Sequence, residues 1–376
     1  MKRSTRLLLG MGLVVLVTTQ SWGGSFEILP SGGYQCFPRA ISADGSTVAG
    51  QVVDEQGSQA FYWTKAAGMV RLGRLPGGSH TSVVRGVSAD GTVLAGYSDT
   101  GDAFPYNNGA FRWTARDGMQ RLPREAFYAW DISADGSVIV GSEAVSLSAS
   151  AAYRYEYPGK YERIGLWKDA KEMDMAWAVS GDGSIVAGGG RAFVGGELRG
   201  GVVRWDSSQG VSLVAAGGAE PAISSDGTTI VGYYNTGENH GAFRWKAGSL
   251  IGLGSLPGLD GQLHTPMAVS GDGSIVVGGA SNQAFIWDET HGMRSLSDVL
   301  TKEHGIDLAG WTLAYATAIS DDGKVIAGLV HDSRSYTYGF VAVVPEPSGY
   351  ILVGTGSIAL PLFAWRRRRR AGRATR

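Results

Sequence analysis

One short phrase, Ser-x-Asp-Gly followed by an apolar stretch that ends in Gly, occurs seven times along the chain, centred on Asp44, Asp90, Asp135, Asp182, Asp226, Asp272 and Asp322. Successive copies lie 46, 45, 47, 44, 46 and 50 residues apart. A unit of this length that reads as several short strands cannot bury both faces of its own small sheet. It must stack on copies of itself, which is how propeller blades are built.

The second copy shows what one unit does. Asp90-Gly91 separates two apolar stretches, and this dipeptide between such stretches is a strong hairpin signal, because Gly supplies positive φ and Asp tolerates it. Downstream, Phe111 and Trp113 alternate with Arg112, so both rings fall on one face of a third strand and the charge on the other. A fourth short strand ends at Leu122. Equivalent pairs are Phe61 and Trp63, Tyr153 and Tyr155, Val203 and Trp205, Phe243 and Trp245, and Phe285 and Trp287. Rings at one place in every copy are expected to fill the space between blades, since a ligand platform would break the symmetry. The repeated aspartates read as turn residues that accept backbone N–H groups. Calcium loops need several closely spaced oxygen ligands in a D-x-D-x-D-G pattern, which is not found.

The ends of the repeat array predict a closed ring. The seventh copy continues to Gly339-Phe340-Val341-Ala342 and then enters the tail without a fourth strand, whereas Phe26-Glu27-Ile28-Leu29 precedes the first hairpin. An N-terminal strand completing the last blade would remove two sheet edges at once. The expected fold is therefore all-β, a seven-bladed β-propeller over residues 25–343 closed by an N-terminal strand, with a C-terminal transmembrane helix. Between copies six and seven the connection lengthens, and Ser297 is placed to cap a short helix there.

Residues 1–24 read as a secretory signal: Lys2, Arg3 and Arg6, an apolar core from Leu7 to Val17, then small and polar residues. An uncleaved anchor is the competing reading, although 11 apolar residues fall short of the span of about 20 that a membrane needs. The net charge of −1 conceals three positive charges in this leader and seven in the Arg-rich tail, so the part between them carries −11. A body of that charge disfavours nucleic acid, whose non-specific binding depends on Lys and Arg at the phosphates. The single Cys36 excludes an internal disulfide and reads as a small buried apolar residue.

Residues 344–376 hold Pro345, Glu346 and Pro347, an apolar run over residues 349–365, and the cluster Arg366, Arg367, Arg368, Arg369 and Arg370. This arrangement closely resembles the PEP-CTERM sorting signal. The resemblance implies an exported protein of a Gram-negative bacterium, held transiently in the inner membrane, processed by an exosortase and released to the cell surface or an exopolysaccharide matrix. The arginines would form a cytoplasmic stop under the positive-inside rule, with a permanent single-pass anchor as the alternative. Within the array, Gln59-Ala60-Phe61, Gly109-Ala110-Phe111, Gly241-Ala242-Phe243 and Gln283-Ala284-Phe285 resemble the extracellular HAF repeat, with Gln or Gly in place of its histidine.

Catalytic motifs are not found: no G-x-S-x-G, H-E-x-x-H or phosphate loop, and no Cys–His pairing. His80, His240, His264, His291, His304 and His331 are scattered without metal-ligand spacing. No catalytic, cofactor-binding or metal residues are assigned, and no cofactor is expected. Acidic pairs such as Glu172 with Asp174, or Asp99 with Asp102, need a measured separation before they count. The expectation is a non-catalytic propeller that binds exopolysaccharide or a surface protein. The alternative is a secreted carbohydrate-active enzyme, a polysaccharide lyase or glycoside hydrolase, to be distinguished by a deep polar pocket at one ring face.

Overall fold

Seven four-stranded antiparallel sheets follow one another along the chain in the computed structural model, which describes residues 24–102, 107–146, 149–164, 172–235, 240–332 and 334–345. The twenty-eight strands are numbered in chain order. Blade 1 runs outward from β2 (Gln35–Ile41) through β3 (Thr47–Asp54) and β4 (Gly57–Thr64) to β5 (Gly68–Gly73). The innermost strands of the next six blades are β6 (Ser82–Val87), β10 (Ala126–Ile132), β14 (Glu172–Val179), β18 (Ala219–Ile223), β22 (Thr265–Val269) and β26 (Thr312–Ile319). This is the seven-bladed propeller that the repeat predicts.

Closure also follows the prediction. Blade 7 consists of β26, β27 (Val325–His331), β28 (Thr337–Val343) and then the N-terminal strand β1 (Ser25–Ile28), with Ser25 opposite Val343 and Ile28 opposite Phe340. Phe26 packs on Phe340 with ring centroids 5.6 Å apart, and the Leu29 N–H donates to the Gly339 carbonyl at 2.8 Å.

The seven Ser-x-Asp-Gly phrases form one repeated device. In the second, the Ser88 hydroxyl donates to Asp90 Oδ1 at 2.7 Å and accepts the Val93 N–H at 2.9 Å, while Asp90 Oδ1 accepts the Thr92 N–H at 3.0 Å. Gly91, at φ +71°, donates its N–H to the Ser88 carbonyl. The loop is thus a turn of four residues with Gly in last place, longer than a two-residue hairpin. All seven aspartates accept the N–H two residues on, the turn role expected of them. These hydrogen bonds, to backbone and serine, hold the Asp90 carboxyl below its usual range against a weaker opposing effect of burial.

Neighbouring turns are tied to one another. The Ala43 N–H donates to the Ala89 carbonyl, Ala89 to Ala134, Ala134 to Gly181, Gly181 to Ser225, Asp226 to Gly271, Gly271 to Asp321 and Asp321 back to Ala43, at 2.8 to 3.1 Å. The result is a closed belt of seven backbone hydrogen bonds around one end of the central channel. Away from the belt, Arg154 and Arg244 each donate from Nε to the turn glycine of the following blade, Gly183 and Gly273, at 3.0 Å.

Between blades the core is apolar. Phe61, Phe111, Tyr153, Phe243 and Phe285 are completely buried, in the inter-blade role expected of these rings, and Phe340 in blade 7 is buried with them. Cys36 is fully buried beside Leu29 and Val341, and burial pushes its thiol up to about 12. One expectation fails. The short helix α1 (Leu296–Asp298) is capped by Ser295, whose hydroxyl accepts the Asp298 N–H, whereas Ser297 lies within the turn and its carbonyl accepts the Thr301 hydroxyl. β25 (Gly292–Ser295) ends at Ser295, whose backbone is extended (φ −63°, ψ 125°), so the cap falls there, two residues before Ser297. Among the described residues no helix is long and apolar enough to cross a membrane; the expected span at 349–365 and the leader lie outside them.

Candidate functional site: a ring of bulged residues around the channel

Every innermost strand skips a residue in its ladder with the second strand. In β2, Pro38 pairs with Gly50 and Ala40 with Ala49, so Arg39 is left out. The same slip leaves out Arg85 in β6, Trp130 in β10, Trp177 in β14, Glu220 with Pro221 in β18, Met267 in β22 and Thr317 in β26. A β-bulge frees one side chain from the alternation of the sheet and re-aims it. All of these residues line a single cavity of about 420 Å³ in the channel.

The bulge explains the last glycine of the repeated phrase. A Cβ on Gly50, Gly96, Gly141, Gly188, Gly278 or Gly328 would lie 1.8 to 2.1 Å from the carbonyl oxygen of Phe37, Val83, Tyr128, Met175, Thr265 or Tyr315, each two residues before its bulged residue. The strand can bend only because its partner has no side chain there. Blade 5 is the exception: it skips two residues, Glu220 takes φ +49°, and a Cβ on Gly232 would clear the Ala219 oxygen by 3.4 Å.

Sevenfold symmetry of the backbone is not matched by the residues it presents. Arg39, Arg85, Trp130 and Trp177 occupy four consecutive blades, whereas Pro221, Met267 and Thr317 occupy the other three. The Arg85 guanidinium lies 4.5 Å from the Trp130 ring centroid, a cation–π contact, and Trp130 lies 4.6 Å from Trp177. Tyr128 stacks on Trp130 at 5.2 Å, Tyr97 meets Tyr128 edge-on at 4.7 Å, and Trp130 Nε1 donates to the Ser142 hydroxyl at 3.1 Å. The Trp130 indole is thus held in place by Tyr128 and Ser142. Burial lowers both arginines, and for Arg85 the like charge of Arg39 adds to this and brings it down to about 10. Tyr97 and Glu220 offset part of the cost. Both guanidinium groups stay charged at neutral pH.

Next to the bulge, six blades carry Ala or Gly and the third carries Asp131. Its carboxylate accepts the Ile132 N–H at 2.8 Å and, across to blade 4, the Val179 N–H at 2.9 Å. Burial outweighs these hydrogen bonds and pushes the carboxyl from 3.8 up to about 7. The folded protein therefore holds a proton at Asp131 that the unfolded chain releases above about pH 4. Its contribution is fully present below that pH and is lost as pH rises to about 7. Asp131→Asn is expected to flatten the decline in stability between pH 4 and 7, read from urea midpoints at half-unit intervals; an unchanged slope would show that another group carries it.

Of the acidic residues considered from sequence, Asp99, Asp102 and Asp174 lie outside the cavity lining. Asp99 accepts the Ser79 and His80 N–H groups at 2.8 and 2.7 Å, and Asp102 pairs with Arg121 at 3.1 Å. Asp174 sits in a second bulge of β14, outside the cavity lining. The buried His264 accepts the Leu256 N–H at 3.0 Å, and among the described residues no cluster of His, Cys, Asp or Glu is arranged to hold a metal. Pro345 lies beside Gly24, and the rest of the sorting motif and the arginine cluster lie outside the described residues. Sequence reasoning missed the ring, although a signal existed: the fifth residue before each repeated Asp is the column that varies in character.

No family model and no curated protein matches the chain. Among solved structures, the chain is similar to the β-propeller domain of the Trilobed protease from Pyrococcus furiosus, with a TM-score of 0.53 and 8% identity over 82% of this chain and 94% of that one. That domain has an open velcro topology, whereas β1 closes the ring here. Oligogalacturonate lyase from Vibrio parahaemolyticus aligns with a TM-score of 0.49 and 11% identity over 86% and 98% of the two chains. TolB from Acinetobacter baumannii aligns at 0.43 and 14% over 81% of each. The likeness to the Pyrococcus furiosus domain, at 8% identity, speaks to the propeller fold alone.

Proposed function

We propose that this protein is an exported, non-catalytic binding propeller of the cell surface or extracellular matrix, which takes a segment of exopolysaccharide or of a surface protein into its channel. One observation carries the binding reading: a backbone with a bulge in each of seven blades presents Arg39, Arg85, Trp130 and Trp177 on one side of the channel and Glu220, Pro221, Met267 and Thr317 on the other. Packing alone gives no reason to bury two arginines, because a buried cation costs free energy unless something offsets it. Binding gives one.

Delivery rests on the two ends of the chain. The leader and the Pro345, Glu346, Pro347 tail support export, a transient inner-membrane stage and exosortase processing. The expected result is that intact mass places the mature C-terminus near Pro345, and that the protein reaches the surface or matrix only in cells with the exosortase. A full-length tail in the inner membrane of both strains would make it an anchored protein. The alternative of a secreted carbohydrate-active enzyme draws on Asp131, whose carboxyl near 7 suits proton transfer. Both its oxygens are engaged by backbone N–H groups, which favours the non-catalytic reading.

A further inference from the structure

We propose that the channel receives the acidic end of a glycan, one carboxylate-bearing sugar whose carboxylate is clamped by Arg39 and Arg85 and whose ring lies against Trp177. The proposal rests on the channel being the binding site. Its starting point is a mismatch in the charges of the ring. Arg39 and Arg85 stand in adjacent blades, both with a buried Nε–H that has no hydrogen-bond partner. Among the described residues neither joins a salt bridge, although eight other arginines do. The two like charges are held together with no salt bridge, and the Glu220 carboxylate offsets only part of the cost. A ligand carboxylate, which matches the planar fork of a guanidinium, relieves both at once.

The neighbours define the rest of the ligand. Trp130 and Trp177 follow directly in the ring, and the C–H face of a sugar is the apolar partner that an indole can take while the hydroxyl groups stay polar. Trp130 is already packed against Arg85 and Tyr128, so the sugar ring falls to Trp177, which a bare carboxylate or a phosphate would leave unused. Glu220 faces the arginines from blade 5, and Asp321 lines the belt end. These two carboxylates leave room for a single acid group, and the −11 carried between leader and tail repels a polyanion lying across the surface. A cavity of about 420 Å³ fits a terminal sugar or short oligomer, near the lower end of the range for small-molecule sites. Asp131 is occupied by its backbone partners and takes no part in the clamp.

The test is calorimetric titration of the full chain in detergent with trigalacturonate, its neutral methyl ester and galactotriose. Trigalacturonate is expected to bind at least tenfold more tightly than either neutral trimer. Arg39→Gln and Arg85→Gln are each expected to remove that preference, and Arg85→Lys to retain part of it, with unfolding temperatures no lower than that of the parent. Trp177→Ala is expected to weaken all three ligands about equally. Equal binding of acid and ester, weakened by Trp177→Ala, would keep the channel as a glycan site and overturn the acidic clamp. Failure of every trimer, together with binding of the host's own polysaccharide that ignores all four variants, would overturn the channel reading as well. A glutamate-rich peptide that displaces trigalacturonate at equal concentration would overturn the choice of a glycan.

Discussion

Gly96→Ala is expected to destabilise the propeller by about 3 kcal/mol, the upper part of the range for overpacking a filled site. The added methyl would sit 1.9 Å from the Val83 oxygen and 3.0 Å from the Val84 Cα, so the obstacle is backbone and cannot rotate away. Relief requires the bulge at Arg85 to flatten, which would move that side chain relative to Trp130. The internal control is Gly232→Ala in blade 5. Its nearest neighbours are the Phe243 ring at 3.1 Å and the Ala219 oxygen at 3.4 Å, and the expected cost is below about 1 kcal/mol. Both are measured as urea unfolding free energies. Equal costs would mean that the close approach at the bulge does not decide why glycine occupies this position.

How much of this the chain announces depends on whether a feature repeats. Asp90-Gly91 and its six counterparts specify a local turn chemistry, and the aromatic column from Phe61 to Phe285 specifies a buried face, so blade count and strand content are legible. Closure is legible for the same reason, since blade 7 lacks a fourth strand and Phe26-Glu27-Ile28 has no other place to pair. The bulge is not. Period-two reading assumes an unbroken ladder, and one skipped residue inverts the faces on its far side. Arg85 therefore reads as an exposed strand residue, whereas it is a half-buried channel residue. Gly96, which reads as the end of an apolar run, is what makes that possible. The site arises from a departure from regular pairing, where pattern arguments carry least information.

Deletion of Ser25–Ile28 is expected to have the largest effect of any change considered, association of chains through an uncovered sheet edge. Three consequences coincide. The four-residue pairing with β28 is removed, the Phe26–Phe340 contact goes with it, and Leu29, which is 1% exposed between blades 7 and 1, loses the strand that holds it. Leu29→Ala alone is expected to cost about 3 kcal/mol as a buried leucine truncation. The deletion also uncovers β28, whose sequence Thr337-Tyr338-Gly339-Phe340-Val341-Ala342-Val343 is uncharged and β-prone, a template for pairing between molecules. Size-exclusion chromatography of the deleted chain should show oligomers or precipitate. A circular permutant separates lost contacts from lost connectivity. Because Ser25 pairs with Val343, an Asn-Gly turn can join the two as a hairpin, with new ends opened in the 74–81 loop. This permutant keeps every strand of blade 7 and is expected to remain monomeric with stability within about 1 kcal/mol of the parent, a modest cost for relocated ends. If instead the deleted chain stays monomeric and equally stable, the ring is held by the belt of turn hydrogen bonds and the inter-blade core, and β1 covers an edge without closing the structure.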